Sequence, residues 1–287
     1  TNLSQDHLDF HKDMEDYFAA KAKLFTFEYA DLAVINLDDP YGKRLAAQTE
    51  LPVVTLSRLD RTATWHYASI TSDYVGASVS IRGSGGILIE GKTALHGGFN
   101  YDNLLMAVAI AVESGIDPID IAAILPTLTG AVGRLEAVRL GQNFTALVDY
   151  AHSPDAVKRV LETAAEITDG KVIAVLGCGG DRDKTKRTLM GQALHEGADI
   201  AIYTSDNPRS EKAEEILVQM VLDIDVVPPS EVIVDRAQAI RTAVNLAQAG
   251  DVVMVLGKGH EKGQEVNGQI HEFDDRIELA KAIEDKK

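Results

Sequence analysis

Cysteine is nearly missing: Cys178 is the only one among 287 residues. A lone thiol excludes internal disulfides and thiolate zinc clusters, and it fits a reducing compartment such as the cytoplasm. Cations are scarce too, with 28 Lys and Arg against 44 Asp and Glu and a formal charge of −16. That balance argues against a nucleic-acid partner, because a phosphate backbone demands clustered Lys and Arg. Acidic small molecules stay open to the chain if Arg, Lys or Mg²⁺ concentrates positive charge locally. Long apolar runs are absent, so no membrane insertion is expected. The opening residues, TNLSQDHLDF, carry no Met, no basic stretch and no apolar core of a secretory leader. The expectation is a piece of something longer, of a size for roughly two domains.

The first half reads as mixed. HKDMEDYFAAKAKLF (11–25) has a helical arrangement of Met14, Tyr17, Phe18, Leu24 and Phe25. LAVINLDD and LPVVTL read as buried strands, and YVGASVSIRGSGGILIEGK as a hairpin with a glycine turn. Two helices follow, NYDNLLMAVAIAVESG and DPIDIAAIL. The second half is more regular. Strands at FTALVDY, KVIAVLG, ADIAIY, SEVIVD and DVVMVLG alternate with helices near 154–168, 186–196, 211–222 and 236–248. An Asn-Gly hairpin (EVNGQIHEF) and a last helix (DRIELAKAIED) follow. Such alternation predicts a parallel sheet covered on both faces, with the domain boundary around GRLEAV, 133–138.

All strands of a parallel sheet end on one edge, where ligands bind. The segments leaving that edge are DYAHSPD, GCGGDRDKTKR, TSDNPRSE and GKGHEKG, all polar and two of them glycine-rich. In GCGGDRDKTKR, consecutive glycines allow backbone amides to approach an anion, and Arg182, Lys184, Lys186 and Arg187 add charge. The same segment also reads as a tight turn beside a solvated basic patch. Asp181 and Arg182 break the dinucleotide-binding glycine pattern, which disfavours a nicotinamide site. In TSDNPR, the Asp, Asn and Pro suit a turn, whereas Arg209 is more than a turn requires, and it is expected to grip a substrate carboxylate. Glycines on both sides of Lys258 permit unusual dihedrals and close ligand approach. Ser153 with Pro154 reads as a helix N-cap. The one match to G-x-x-x-x-G-K-[ST], Gly86 to Thr93, holds the strand sequence ILIE and is expected to be a hairpin and not a phosphate cradle.

Taken together, TNLSQDHLDFH, YFAAKAKLF, GRLEAV, DYAHSPDAV, GCGGDRDKTKR, TSDNPR and GKGHE resemble the Mur ligases of peptidoglycan synthesis, in collinear order along nearly the whole chain. The resemblance implies an α/β fold: part of the family's central ATPase-type domain (1–136) followed by a C-terminal Rossmann-like domain (137–287) with a mostly parallel sheet. It implies a monomeric, cytoplasmic, ATP- and Mg²⁺-dependent amide ligase that adds meso-diaminopimelate to UDP-MurNAc-L-Ala-D-Glu through an acyl phosphate. By position in these motifs, Lys21 matches a lysine carried as a carbamate, which would serve Mg²⁺ as a catalytic anionic ligand, and His7 matches a metal-binding histidine. Asn100, Asn103, Arg134, Asp149 and Ser153 fall where the family meets ATP, with Asp149 matching a ribose-binding aspartate. Arg182, Asp206, Asn207, Pro208, Arg209, Gly257 and Glu261 fall where it meets the incoming amino acid. With Arg209 present that amino acid is expected to be diaminopimelate, since a guanidinium pairs with its distal carboxylate and repels the ammonium of lysine. The family's nucleotide-binding N-terminal domain and phosphate loop would precede Thr1, so this stretch alone is expected not to hydrolyse ATP. The rival expectations are a folylpolyglutamate synthase-like ligase and a non-catalytic nucleotide or amino-acid binding module.

Overall fold

The computed structural model describes residues 1–3, 11–73 and 76–286. His7 lies outside the described residues. The chain divides into two compact units, the change falling between Leu128 and Thr129, with Asp73, at the end of a first-unit strand, and Leu95–Gly97 going with the second unit.

The first unit contains α1 (Met14–Ala22), β1 (Ala33–Asn36), α2 (Pro40–Gln48), β2 (Val53–Ser57), β3 (Trp65–Asp73), β4 (Gly76–Arg82), β5 (Leu88–Thr93), α3 (Gly98–Glu113) and α4 (Pro118–Ile124). Its sheet runs β1-β2-β3-β4-β5, with β1, β2 and β3 parallel and β4 antiparallel to β5. The sequence reading omits α2 and β3. Both carry signals: Asp39 caps α2 by accepting from the Gly42 amide with Pro40 at the first turn, and Trp65 and Tyr67 alternate with less buried neighbours in β3. Gly86–Thr93 forms the far arm of the β4–β5 hairpin, as its ILIE segment requires.

The second unit contains β6 (Glu136–Ala137), β7 (Thr145–Asp149), α5 (Pro154–Glu166), β8 (Val172–Cys178), α6 (Thr185–Gly197), β9 (Ile200–Ser205), α7 (Ala213–Met220), β10 (Glu231–Val232), α8 (Arg236–Leu246), β11 (Val252–Leu256), β12 (Gly263–Val266), β13 (Gln269–Glu272) and α9 (Asp275–Lys286). Its sheet runs β10-β9-β8-β11-β7-β6, parallel except for β6 against β7. The strands are apolar on both faces because both faces are covered. Leu147, Ala174, Leu176, Met254 and Leu256 share one core with Val157, Val160 and Leu161 of α5, and with residues of α6 and α7. Ala146, Val148, Ile173, Val175, Val253 and Val255 share the other with Ile240 and Val244 of α8 and Leu279 and Ile283 of α9. Strand period two and helix period 3.6 thus fix which residues meet. The β12–β13 hairpin turns at Asn267 and Gly268, both with positive φ, as its Asn-Gly pair predicts.

Candidate amino-acid site of the second unit

Parallel β8, β9 and β11 end side by side, and the residues that follow them wall a cavity of about 400 Å³. Among its lining residues are Arg182, Asp206, Asn207, Arg209, Gly257 and Glu261, which the resemblance to Mur ligases groups; Tyr150, His152, Cys178 and Lys186 join them. Pro208 does not line it. That residue's carbonyl instead packs on the glycine loop, where a Cβ on Gly180 would lie 1.9 Å from it.

The glycine loop after β8 and the TSDNPR segment after β9 are bonded together along their length. Gly180 donates its amide to the Asn207 carbonyl (2.8 Å), and Arg209 Nη1 donates to the Gly180 carbonyl (2.7 Å). Ser210 Oγ donates to Asp181 Oδ1 (2.7 Å), and the Asp181 amide donates to Glu211 Oε1 (2.7 Å). Side chains on Gly177 or Gly180 would strike backbone of the facing segment, which is why glycine stands at both.

Arg187 and Arg209 show two uses of a guanidinium on this edge. Arg187 is 1% exposed and forks onto Glu211 at 2.7 and 2.9 Å, with Gln219 and the Gly179 carbonyl taking further donors. It locks the loop, and neither reading of its segment, a charge open to an anion or a solvated basic patch, describes it. Lys184 pairs with the same Glu211 at 3.2 Å. Hydrogen bonds from Arg187 hold the Glu211 carboxyl well below the usual carboxylate range. Arg209 is less confined. Its Nε faces Glu265 at 3.3 Å and its Nη1 is taken by Gly180, while Nη2 has no protein hydrogen bond among the described residues. Its backbone is left-handed (φ 54) and is held there by bonds to the Glu265 carbonyl (2.9 Å) and from the Asn267 amide (2.6 Å).

Across the cavity, Asn207 Nδ2 donates to Glu261 Oε2 (2.8 Å), and Asn207 Oδ1 accepts from Lys258 Nζ and the Glu265 amide, each at 3.0 Å. Burial pushes the Glu261 carboxyl up, but the Asn207 hydrogen bond and the Lys258 charge outweigh it and leave the group below its ordinary range. Burial raises the Asp206 carboxyl against the pull of Arg236 and Lys258. Behind both, Arg236 is fully buried, forks onto Asp275 at 2.7 Å through two nitrogens, and donates to the carbonyls of Ser205 and Leu256. These carbonyls immediately precede Asp206 and Gly257, so one side chain ties two strand ends together beneath the cavity.

The residues matched to ATP are distributed differently. Asp149 is 5% exposed; its Oδ2 accepts from the Leu135 amide and its Oδ1 from the Ala151 amide, both at 2.8 Å. A ribose hydroxyl would share these oxygens with two amides. Burial leads in raising this carboxyl. The Arg134 guanidinium lies 5.0 Å from the Tyr150 ring, beside His152 and His260. Ser153 caps α5 by accepting from the Ala156 amide (3.4 Å), the structural reading of its motif. In the first unit, Asn100 is buried and Asn103 exposed, three apart on α3. Lys21, near the end of α1, lines a cavity of about 360 Å³ with Tyr17, Asn36 and Asp39, its Nζ 5.5 Å from the Tyr17 ring. Among the described residues no cluster of three His, Cys, Asp or Glu side chains is placed to hold a metal. An unmodified lysine is itself a cation and offers Mg²⁺ no oxygen, so Lys21 would become a ligand only as its carbamate.

The residues that the sequence reading missed are Lys258 as an inward-facing charge, Arg236 and Glu211. Only Lys258 had a local signal, the glycines on either side that let it turn inward.

Comparison with known proteins places these features in a family. Residues 1–111 match the model of the Mur ligase middle domain, and residues 133–259 that of the Mur ligase glutamate ligase domain. A UDP-N-acetylmuramoyl-L-alanyl-D-glutamate–2,6-diaminopimelate ligase of Streptomyces coelicolor is 46% identical over 99% of this chain and 57% of its own length. The ligase of the same name from Aquifex aeolicus is 43% identical over 96% of this chain and 56% of its own. The chain thus spans a little over half the length of these relatives. A solved structure of a ligase of that name superimposes with a TM-score of 0.75 at 40% identity, covering 99% of this chain and 59% of the other. A Mycobacterium tuberculosis folylpolyglutamate synthase shares the fold at a TM-score of 0.65 and 21% identity. With two domain models matched in order along most of its residues, the chain belongs to the Mur ligase family, of which it carries middle and C-terminal domains.

Proposed function

We propose that this chain supplies the middle and C-terminal domains of an ATP-dependent ligase that joins meso-diaminopimelate to UDP-MurNAc-L-Ala-D-Glu. The observation that carries the reading is the convergence of Arg182, Arg209 and Glu261 on one cavity at the carboxyl edge of a parallel sheet. The distal end of diaminopimelate bears a carboxylate and an ammonium. Arg209 offers its uncommitted Nη2 to the carboxylate, with Arg182 beside it, and Glu261 offers Oε1 to the ammonium, its Oε2 being held by Asn207 and Lys258. Clamped there, the substrate presents its other amine to an acyl phosphate made from ATP and the D-glutamyl carboxylate. The amine attacks the acyl carbon, the C–N bond forms and phosphate leaves, with a proton lost from nitrogen. Arg134, Asp149, Ser153, Asn100 and Asn103 are assigned to the nucleotide. Mg²⁺, with Lys21 as its carbamate and His7 as ligands, would neutralise charge on the phosphoryl oxygens. The setting proposed for the parent enzyme is the cytoplasm, as a monomer that builds the wall on which cell shape and division depend.

A glutamate-adding ligase of the folylpolyglutamate type fits the cavity less well. Glutamate has no distal ammonium to meet Glu261, and its side-chain carboxylate would face that anion. Calorimetric titration of the chain with meso-diaminopimelate, L-lysine and L-glutamate tests the reading. Losing a charge-assisted contact costs about 1.5–3 kcal/mol, so diaminopimelate should bind about 10- to 100-fold more tightly than either competitor. Equal binding of all three, or of none, overturns it.

A further inference from the structure

Lys258 belongs to no role assigned so far, yet it bonds to two residues that line the candidate site. Its side chain is wholly buried. Its Nζ donates to Asn207 Oδ1 at 3.0 Å and to Glu261 Oε2 at 3.2 Å, and lies 4.0 Å from Asp206 Oδ1. The backbone is built to bring it there. Gly257 and Gly259 both have positive φ, and a Cβ at either would meet Asp206 Oδ2 at 2.8 Å or Tyr150 Cβ at 2.7 Å. A buried ammonium is costly unless fully paired, and an apolar residue of the same volume often serves stability as well. Burying a lysine by means of two left-handed glycines therefore points to placement of its partners.

We infer that Lys258 is a positioning residue that fixes the Glu261 carboxylate for the distal ammonium of a diamino diacid, an inference that rests on the diaminopimelate reading above. Glu261 is the most exposed member of the group, its side chain 35% accessible, and two donors alone anchor it among the described residues: Lys258 and Asn207, both on Oε2. This leaves Oε1 without a hydrogen bond among the described residues, on a side chain that lines the cavity. Asp206 and Glu261 repel each other across the same corner, and Lys258 is the cation between them. Without it Glu261 loses half its anchoring and must be ordered at the moment of binding.

The experiment compares meso-diaminopimelate with 2-aminopimelate, which keeps both carboxylates and lacks one amine. Ordering a rotamer-rich side chain on binding predicts that Lys258→Met weakens diaminopimelate by about three- to tenfold and leaves 2-aminopimelate within about twofold. In a Glu261→Gln background, the same substitution should leave the ratio of the two ligands unchanged. Equal weakening of both ligands by Lys258→Met, or additive effects with Glu261→Gln, overturns the inference, because a purely structural lysine behaves in that way. A second measurement covers a variant that fails to fold: the side-chain ¹⁵Nζ resonance of Lys258 in the unmutated chain should shift with diaminopimelate and not with 2-aminopimelate. Identical responses to both overturn it. Failure of the unmutated chain to bind either ligand would instead count against the proposed function.

Discussion

Two glycine-bearing segments with lysines, Gly86–Thr93 and Gly177–Arg187, look alike in composition and differ in what their glycines do. The first satisfies a phosphate-loop pattern and is one arm of a hairpin: a Cβ on Gly91 would press on the Leu125 side chain at 2.8 Å, whereas at the turn one on Gly86 or its neighbour Gly85 would meet nothing within 4 Å. Glycine stands at both turn positions for positive φ alone, +83 and +66. The second satisfies no dinucleotide pattern and yet lines a cavity. There Gly177 and Gly180 stand because backbone of the TSDNPR segment passes at 2.7 and 1.9 Å from where a Cβ would be. A glycine motif is therefore informative through what approaches it, and strand ends in a parallel sheet supply that approach where a hairpin turn does not.

Three substitutions probe this contrast. The greatest effect is expected at Glu211, which anchors the second loop through Arg187. Glu211→Gln leaves a guanidinium that is 1% exposed without its counter-ion, a loss of about 3–5 kcal/mol in urea unfolding. Arg187 holds this carboxyl below its ordinary range, so the pair's contribution is complete above the unfolded-chain value of about 4.3 and disappears as pH falls toward the lower folded-state value. Unfolding midpoints measured from pH 6 down to pH 3 should fall less steeply for Glu211→Gln than for the parent; parallel curves would mean that the pair does not titrate this way. Next comes Gly180→Ala, which must displace either loop: a cost of about 1–3 kcal/mol is expected, with diaminopimelate affinity lost together with it. Retained affinity would show that the two loops need not touch. Smallest is Gly86→Ala, limited to left-handed strain of about 1 kcal/mol and leaving ligand binding untouched. A binding defect there would erase the contrast.

The sequence made the second unit more legible than the first, for a physical reason. Strands covered on both faces are continuous apolar runs, and their loops fall on one edge by geometry, so ALVD, VIAVLG and VVMVL announced both the sheet and the location of the cavity. In the first unit β3 is half-covered and its outer half, Ser69 and Thr71 to Asp73, is exposed, which blurred its pattern. Within the site, residues that look outward from loops were identifiable one by one. Arg187, Glu211 and Arg236 were not, because their meaning lies in partners 24 and 39 positions away. No local pattern distinguishes an arginine that will be swallowed from one that will stay at the rim.

The β12–β13 hairpin reaches back to the TSDNPR segment through Gln264, which donates to Ser205 Oγ and the Asp206 carbonyl, and through the backbone of Glu265 and Asn267 on either side of Arg209. In effect a ribbon from late in the chain splints the wall of a chamber made some sixty residues earlier. A substitution at the tip of that ribbon is expected to tilt one guanidinium, and under the proposed function it would retune selectivity for the incoming amino acid without altering a single residue that touches it.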